Sequence, residues 1–256
     1  MDNIYTNDEY IIKNPSLHEE DSPWKIEKVL PLVDRFIGQV NKKEICILDV
    51  GGGAGLILKA ISDHIRRKYG IKVNKFALDL SPGMLKAQKQ NNNDLCGTYN
   101  ENICKTSIEN KKFDLVLMVD ILEHVPDDLA ALIELARISK YVILKVPLET
   151  NLFSKIKKIG KGTIDMQRLS KEKYGHVNFY FYYQIIHKIK NNLGESIFVS
   201  SANAFDYLRK SQYYNKTMSL KYKLFCWVAA SLSKILPPSF YLNLFGDFAV
   251  ILVESY

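Results

Sequence analysis

Ile45-Cys46-Ile47-Leu48-Asp49-Val50-Gly51-Gly52-Gly53-Ala54-Gly55 is the stretch on which the fold of this chain turns. A short apolar run breaks into glycines, and Leu56 to Tyr69 then has helix-compatible composition. The order predicts strand, tight turn, helix. Glycines there let the backbone turn sharply and approach a ligand without a Cβ in the way. The spacing is G-x-G-x-G, with Leu56 where a dinucleotide fingerprint wants its third glycine, which turns the reading away from NAD.

Working outward, the unit repeats. Val73 to Leu80 predicts a second strand; Ser81-Pro82 supplies a cap residue and a first-turn proline, and Met84 to Gln90 continues that helix. Phe113 to Val119 is a further apolar run, Asp127 to Ile138 a helix, and Tyr141 to Val146 a run ended by Pro147. Continuously apolar strands alternating with helices imply a parallel sheet covered on both faces. Beyond Pro147 come a Lys-rich stretch, an aromatic cluster at Phe179 to Tyr183 and a helix from Gln184 to Asn191. Two strand candidates, Ser196 to Ser201 and Asp247 to Glu254, flank a Tyr/Lys-rich insertion, Asn203 to Leu244, which holds an apolar helical run from Leu224 to Leu236. Upstream, turn signals at Asn14-Pro15 and Ser22-Pro23 precede the helical pattern Trp24, Val29, Leu32, Val33, Phe36. Residues 1–44 are thus read as a helical cap on a main domain over 45–256.

At 256 residues, 47% hydrophobic and 25% charged, the chain suits one large globular α/β domain. The polar, acidic start from Met1 to Tyr10 lacks the pattern of a secretory signal, and a cytoplasmic location is expected. The four cysteines, Cys46, Cys96, Cys104 and Cys226, form no C-x-x-C pair, so reduced thiols are expected. The net charge of +7 is concentrated late: Lys155 to Lys190 holds nine Lys/Arg against two acids.

Asp79 ends the second strand in Phe76-Ala77-Leu78-Asp79-Leu80-Ser81, where a carboxylate at the sheet's carboxyl edge can accept both hydroxyl hydrogens of a ribose. A surface acid near a helix start would look the same. The sequence resembles the Rossmann-like (class I) methyltransferases in three ordered blocks: Leu48 to Gly55, Leu78 to Leu85, and Phe113 to Val125. The resemblance implies a three-layer α/β sandwich with a mostly parallel seven-stranded sheet, its last strand antiparallel, and S-adenosylmethionine as cofactor. It implies that Asp49, Gly51, Gly53 and Gly55 hold the amino-acid portion and Asp79 the ribose, with Leu80, Met84 and Asp120 also at the cofactor. Adenine would meet Asn102 and Ile103, in a stretch where the family often has Gly-Asp; an amide can still bond an adenine edge.

Methyl transfer from a sulfonium is an in-line displacement, so positioning a nucleophile is the first task. A hydroxyl acceptor also needs a base, and imidazole, with an unperturbed pKa of about 6.5, suits it. His124 and His176 are the candidates, with Asp120 beside them; a packing histidine is an equal reading of His124. Asp120-x-x-Glu123-His124 resembles the E-x-x-E-H of some ubiquinone-pathway O-methyltransferases, which can hold a divalent cation, although no metal is expected from three mixed residues alone. Gly175-His176-Val177-Asn178-Phe179 resembles a segment of glycan and lipid-precursor methyltransferases. Trp24 and Lys25 suit either a lid over the ligand or an ordinary helix start with Ser22 as cap.

Lys155, Lys157, Lys158 and Lys161 could meet phosphate on an anionic acceptor, but no nucleic-acid-binding motif is present and nucleic acid is not an expected partner. Leu224 to Leu236 is too short to span a bilayer. With Lys221, Lys223 and Lys234 it suits peripheral contact through residues 221–236 with the inner membrane surface, or a helix packed on the sheet. The reading is methyl transfer to an oxygen or nitrogen of a small-molecule acceptor: a sugar, lipid-linked glycan or quinone-like precursor. A non-catalytic S-adenosylmethionine-binding protein and a nucleotide-dependent oxidoreductase are the alternatives.

Overall fold

The computed structural model describes residues 19–152, 170–172, 175–210 and 218–256. Met1 to Tyr10, Asn14-Pro15, Lys155, Lys157, Lys158, Lys161 and positions 211–217 of the insertion lie outside the described residues. The sheet comprises β1 (Glu44–Val50), β2 (Lys72–Leu78), β3 (Leu95–Tyr99), β4 (Phe113–Val119), β5 (Ser139–Leu148), β6 (Gly194–Ser201) and β7 (Asp247–Ser255). Its order is β3-β2-β1-β4-β5-β7-β6, with β1 to β5 parallel and β7 antiparallel to both of its neighbours. This is the Rossmann-like sheet expected.

The apolar runs become central strands because helices cover both faces. All seven residues of β4 are buried. On one face lie α1 (Ser22–Gln39) and α2 (Leu56–Tyr69), which put Val29, Leu32, Phe36, Leu58 and Ile61 against Leu115 and Leu117. On the other lie α4 (Asp128–Ile138), α5 (Tyr182–Asn192), α7 (Leu220–Leu232) and α8 (Pro238–Phe245), which bury Leu132, Ile185, Ala229 and Leu242 with Val116 and Met118. The helices α3 (Pro82–Asn91) and α6 (Ala204–Lys210) complete the described set.

Several boundaries differ from the sequence reading. β3 was not singled out, because its five residues are half-exposed and carry little apolar signal. β2 stops at Leu78, so Asp79 lies just past it, its N–H donating to the Tyr99 carbonyl at 3.1 Å. Ser22 is the first residue of α1 and not its cap; Asp21 holds that position, and its carboxylate pairs with Lys25 at 3.2 Å. α7 starts at Leu220 and ends at Leu232, since Ser219 caps it by accepting from the Tyr222 N–H. Ser81 caps α3 as expected, accepting from the Met84 N–H at 3.2 Å.

Candidate active site

The strand order reverses between β1 and β4, so the loops leaving these neighbours diverge and open a crevice at the carboxyl edge of the sheet. A cavity of about 1240 Å³ lies there. Ligand pockets commonly run to roughly 300–1,000 Å³, so this one has room for a cofactor and an acceptor together.

Asp49, at the end of β1, is buried, and its Oδ2 makes no hydrogen bond among the described residues. Burial, then the charge of Asp79, pushes its carboxyl up to about 7. A Cβ at Gly52 would come within 2.1 Å of that oxygen, so the turn closes over the carboxylate only as glycine. An unpaired buried acid beside open backbone fits a cationic group brought by a ligand. Gly51 and Gly53, both with positive φ, line the cavity alongside Gly52. Gly55 does not: in left-handed conformation it starts α2 and faces α3, where a Cβ would meet Asn92 Nδ2 at 2.8 Å. Its expected place at the cofactor is therefore corrected to helix packing. Asn92, unnoticed in the sequence, donates to the Gly55 carbonyl at 3.0 Å and accepts from buried Lys75 at 2.9 Å.

Asp79, Leu80, Met84, Asn102 and Ile103 all line the same cavity. Burial raises the Asp79 carboxyl to about 6, although its Oδ1 accepts from the Ser81 N–H at 2.9 Å. Asn100 ties this edge together, donating to the carbonyls of Asp79 and Leu80. Asn102 accepts from the Cys104 N–H through its own Oδ1 at 2.9 Å.

Asp120 follows β4 with φ +56, unusual for a residue with a Cβ. Lys145 reaches its two oxygens at 2.5 and 2.7 Å, and Lys25 reaches it at 3.1 Å. Burial would raise this carboxyl, but the two lysines outweigh it and hold Asp120 below the usual range. Asp120 is thus a poor proton acceptor, which revises its expected catalytic place. Lys145 is fully buried, 3.6 Å from the Phe248 ring centroid and 4.8 Å from that of Trp24. Trp24 in turn stacks on Tyr207 at 4.8 Å, so it packs inward, and Lys25 meets the protein's own carboxylates.

Beyond Asp120, the short 3-10 turn Leu122–His124 faces the chain at Gly175 to Asn178. The N–H groups of Val177 and Asn178 donate to the Glu123 carbonyl at 2.9 and 3.0 Å. This brings the His124 and His176 rings to 4.8 Å, nearly perpendicular. His176 Nδ1 lies 3.0 Å from Glu149 Oε1. Glu123 is buried, its Oε2 without a partner among the described residues, and burial, then the Asp120 charge, pushes its carboxyl well above the ordinary range. Among the described residues, the set with metal-ligand geometry is Glu123, His124 and His176, whose ligand atoms lie within 4.8 Å of one another. His176 takes the place that the D-x-x-E-H spacing gave to Asp120, because the lysines already engage that carboxylate. Glu149 and Lys145 were missed; a lysine inside an apolar strand run was the available signal for the second.

Residues 48–141 match the family model described as a methyltransferase domain. Over that stretch the chain is similar to methyltransferase domains, and its sheet has the Rossmann-like order. A ubiquinone biosynthesis O-methyltransferase of Coxiella burnetii is 29% identical over 89 residues, 35% of this chain and 36% of that protein. An uncharacterised protein of Methanocaldococcus jannaschii is 32% identical over 130 residues, 47% of this chain and 52% of that one. The chain thus spans between a third and about half the length of these relatives. Among solved structures, geranyl diphosphate C-methyltransferase from Streptomyces coelicolor, complexed with Mg2+, geranyl diphosphate and S-adenosylhomocysteine, superposes with TM-score 0.57 at 11% identity. It covers 88% of this chain and 79% of that one, and shares the fold. The matched stretch carries Asp49, Asp79, Asp120 and His124; Lys25, Lys145, Glu149 and His176 come from outside it.

Proposed function

We propose that this protein transfers a methyl group from S-adenosylmethionine to an oxygen or nitrogen of a small-molecule acceptor. The observation that carries the reading is Asp49 Oδ2, a buried carboxylate oxygen without a partner among the described residues, at a turn only glycine can close, in the same cavity as a His–Glu pair. Asp49 and the backbone at Gly51 to Gly53 would hold the amino-acid portion, Asp79 the ribose hydroxyls, and Asn102 with Ile103 the adenine. S-adenosylmethionine supplies a methyl group made electrophilic by its sulfonium.

On the acceptor side, Glu149 fixes the ring of His176. With Nδ1–H donated to Glu149, Nε2 carries the lone pair and can accept the proton of an acceptor hydroxyl as the methyl group moves. His124 packs edge-on against His176 and limits its rotation. Asp120, held by Lys145 and Lys25, positions the loop between cofactor and acceptor. A cavity wall containing Phe205, Phe245 and Phe248 suits an apolar portion of the acceptor, as in a quinone-like or lipid-linked precursor. Transfer to oxygen is favoured by the paired histidine and agrees with the name of the Coxiella relative.

Calorimetric titration with S-adenosylmethionine, S-adenosylhomocysteine and NAD, on the native protein and Asp79→Ala, tests the cofactor. Binding of the first two, weakened in the variant, is expected; binding of NAD alone, or of nothing, overturns the reading. Once an acceptor turns over, His176→Ala should lower kcat by about 10²–10⁴-fold while S-adenosylhomocysteine affinity stays within a few-fold. Unchanged turnover would remove His176 from the chemistry.

A further inference from the structure

The helix α7 is apolar on two opposite sides. Its inward positions are small or aromatic: Cys226, Ala229 and Ala230 are buried, and Phe225 packs on Phe205 and Phe245 at ring-centroid distances of 5.5 and 6.0 Å. Its outward positions are large: Leu220, Leu224 and Trp227 are 84%, 62% and 54% exposed, Val228 is exposed too, and the stripe continues to Ile235 at 77%. The spacing 220, 224, 227, 228, 235 places one apolar row along the solvent side. Exposed leucines occur singly on most proteins, but a contiguous row of large apolar side chains marks a surface made to be covered.

Charge says what covers it. From Met218 to Gly246 the sequence holds Lys221, Lys223 and Lys234 and no acid, and Lys221 and Lys234 are exposed beside the row. A second copy docking through the same face would bring these lysines together without an acid from the segment to offset them. An anionic bilayer matches both features: the apolar row enters the acyl boundary and the lysine stems carry their ammonium groups to the headgroups. No helix among the described residues is long and apolar enough to cross a membrane, so the contact is with one leaflet.

We propose that α7 and the turn after it dock the protein on an anionic lipid surface. Phe205 and Phe245 line the catalytic cavity, and Phe225 of α7 packs on both, so one layer of aromatic rings separates the docking helix from the acceptor space. Docking therefore sets the acceptor half of the cavity beside the bilayer, the place for a lipid-linked acceptor. That last consequence rests on the methyltransferase reading; the docking itself does not.

The test is flotation of the full chain with vesicles of phosphatidylcholine, alone or mixed with phosphatidylglycerol. Flotation only with the mixed vesicles is expected, weakened about thirtyfold in Lys221→Gln/Lys234→Gln, at roughly fivefold per lysine, and abolished in Leu224→Glu/Trp227→Glu. Quenching of the native protein's tryptophan fluorescence by brominated lipid should disappear in Trp227→Phe while that variant still floats, a readout needing no charged substitution. The idea falls if the native protein stays at the bottom with anionic vesicles, if flotation survives Leu224→Glu/Trp227→Glu, or if sedimentation finds a dimer that Leu224→Glu dissociates. S-adenosylhomocysteine titration of each preparation keeps the readings apart: retained binding without flotation ends docking alone, and flotation without cofactor binding ends the methyltransferase assignment alone.

Discussion

Asp49 is the residue on which cofactor affinity should turn. Its carboxyl, raised to about 7, is largely protonated in the ligand-free protein at mildly acidic pH, whereas a cationic ligand favours the ionised form. S-adenosylhomocysteine affinity should therefore weaken as pH falls through 7, approaching about tenfold per unit where one proton is displaced. Asp49→Asn should bind more weakly with a flatter profile, and calorimetry from pH 5.5 upward checks both. The stability of the ligand-free protein should move the other way. An acid whose folded-state pKa lies above its unfolded value makes the folded state bind more protons, so stability falls as pH climbs from about 4 through 6 and 7, the range set by Asp79 and Asp49. Thermal melts across that range, with and without saturating ligand, report it as a falling Tm that the ligand offsets. Gly52→Ala should cost at least about tenfold in affinity, because the methyl must displace the carboxylate from its place under the turn.

At the scale of elements, α1 does two jobs at once. Its inner face buries Val29, Leu32, Val33 and Phe36 against the sheet, and that docking carries Lys25 to Asp120. Leu32→Ala should lower stability by about 2–5 kcal/mol, the range for truncating a buried leucine, and denaturant unfolding measures it. Lys145→Met tests the other end of the network. Removing one partner of a buried ion pair costs about 3–5 kcal/mol, and Lys25, still beside Asp120, should hold the loss near the lower end. A variant as stable as the native protein would show that the Lys145–Asp120 pair contributes nothing net to folding.

For the whole molecule, both hydrophobic clusters lean on the same sheet: Leu115 and Leu117 of β4 pack under α1 and α2, while Val116 and Met118 pack under the opposite helices. Removing one layer exposes a full sheet face. Deletion of residues 1–39 should therefore abolish cooperative unfolding and S-adenosylhomocysteine binding, although Asp49 and Asp79 remain in the chain. A truncated protein that melts cooperatively would make the first helix an accessory.

The sequence by itself determined the Rossmann-like class and singled out the residues proposed for the cofactor half of the site. That half is built from residues near the ends of successive strands, Asp49 to Gly53 and Asp79 to Met84, so short-range order along the chain already encodes it. The seven strands were less evenly readable: β4, buried throughout, stands out as an apolar run, while β3 alternates exposure and carries little signal. The residues proposed for the acceptor half come together only in the tertiary structure. Glu149 and His176 are separated by 27 positions and His124 by 52 from its partner ring, and nothing local in any of the three segments forecasts that they meet. The Gly55 and Asp120 assignments changed for the same reason: whether a glycine faces a ligand or a helix, and whether a carboxylate is free or held by two lysines, depends on which distant side chains the packed sheet brings alongside.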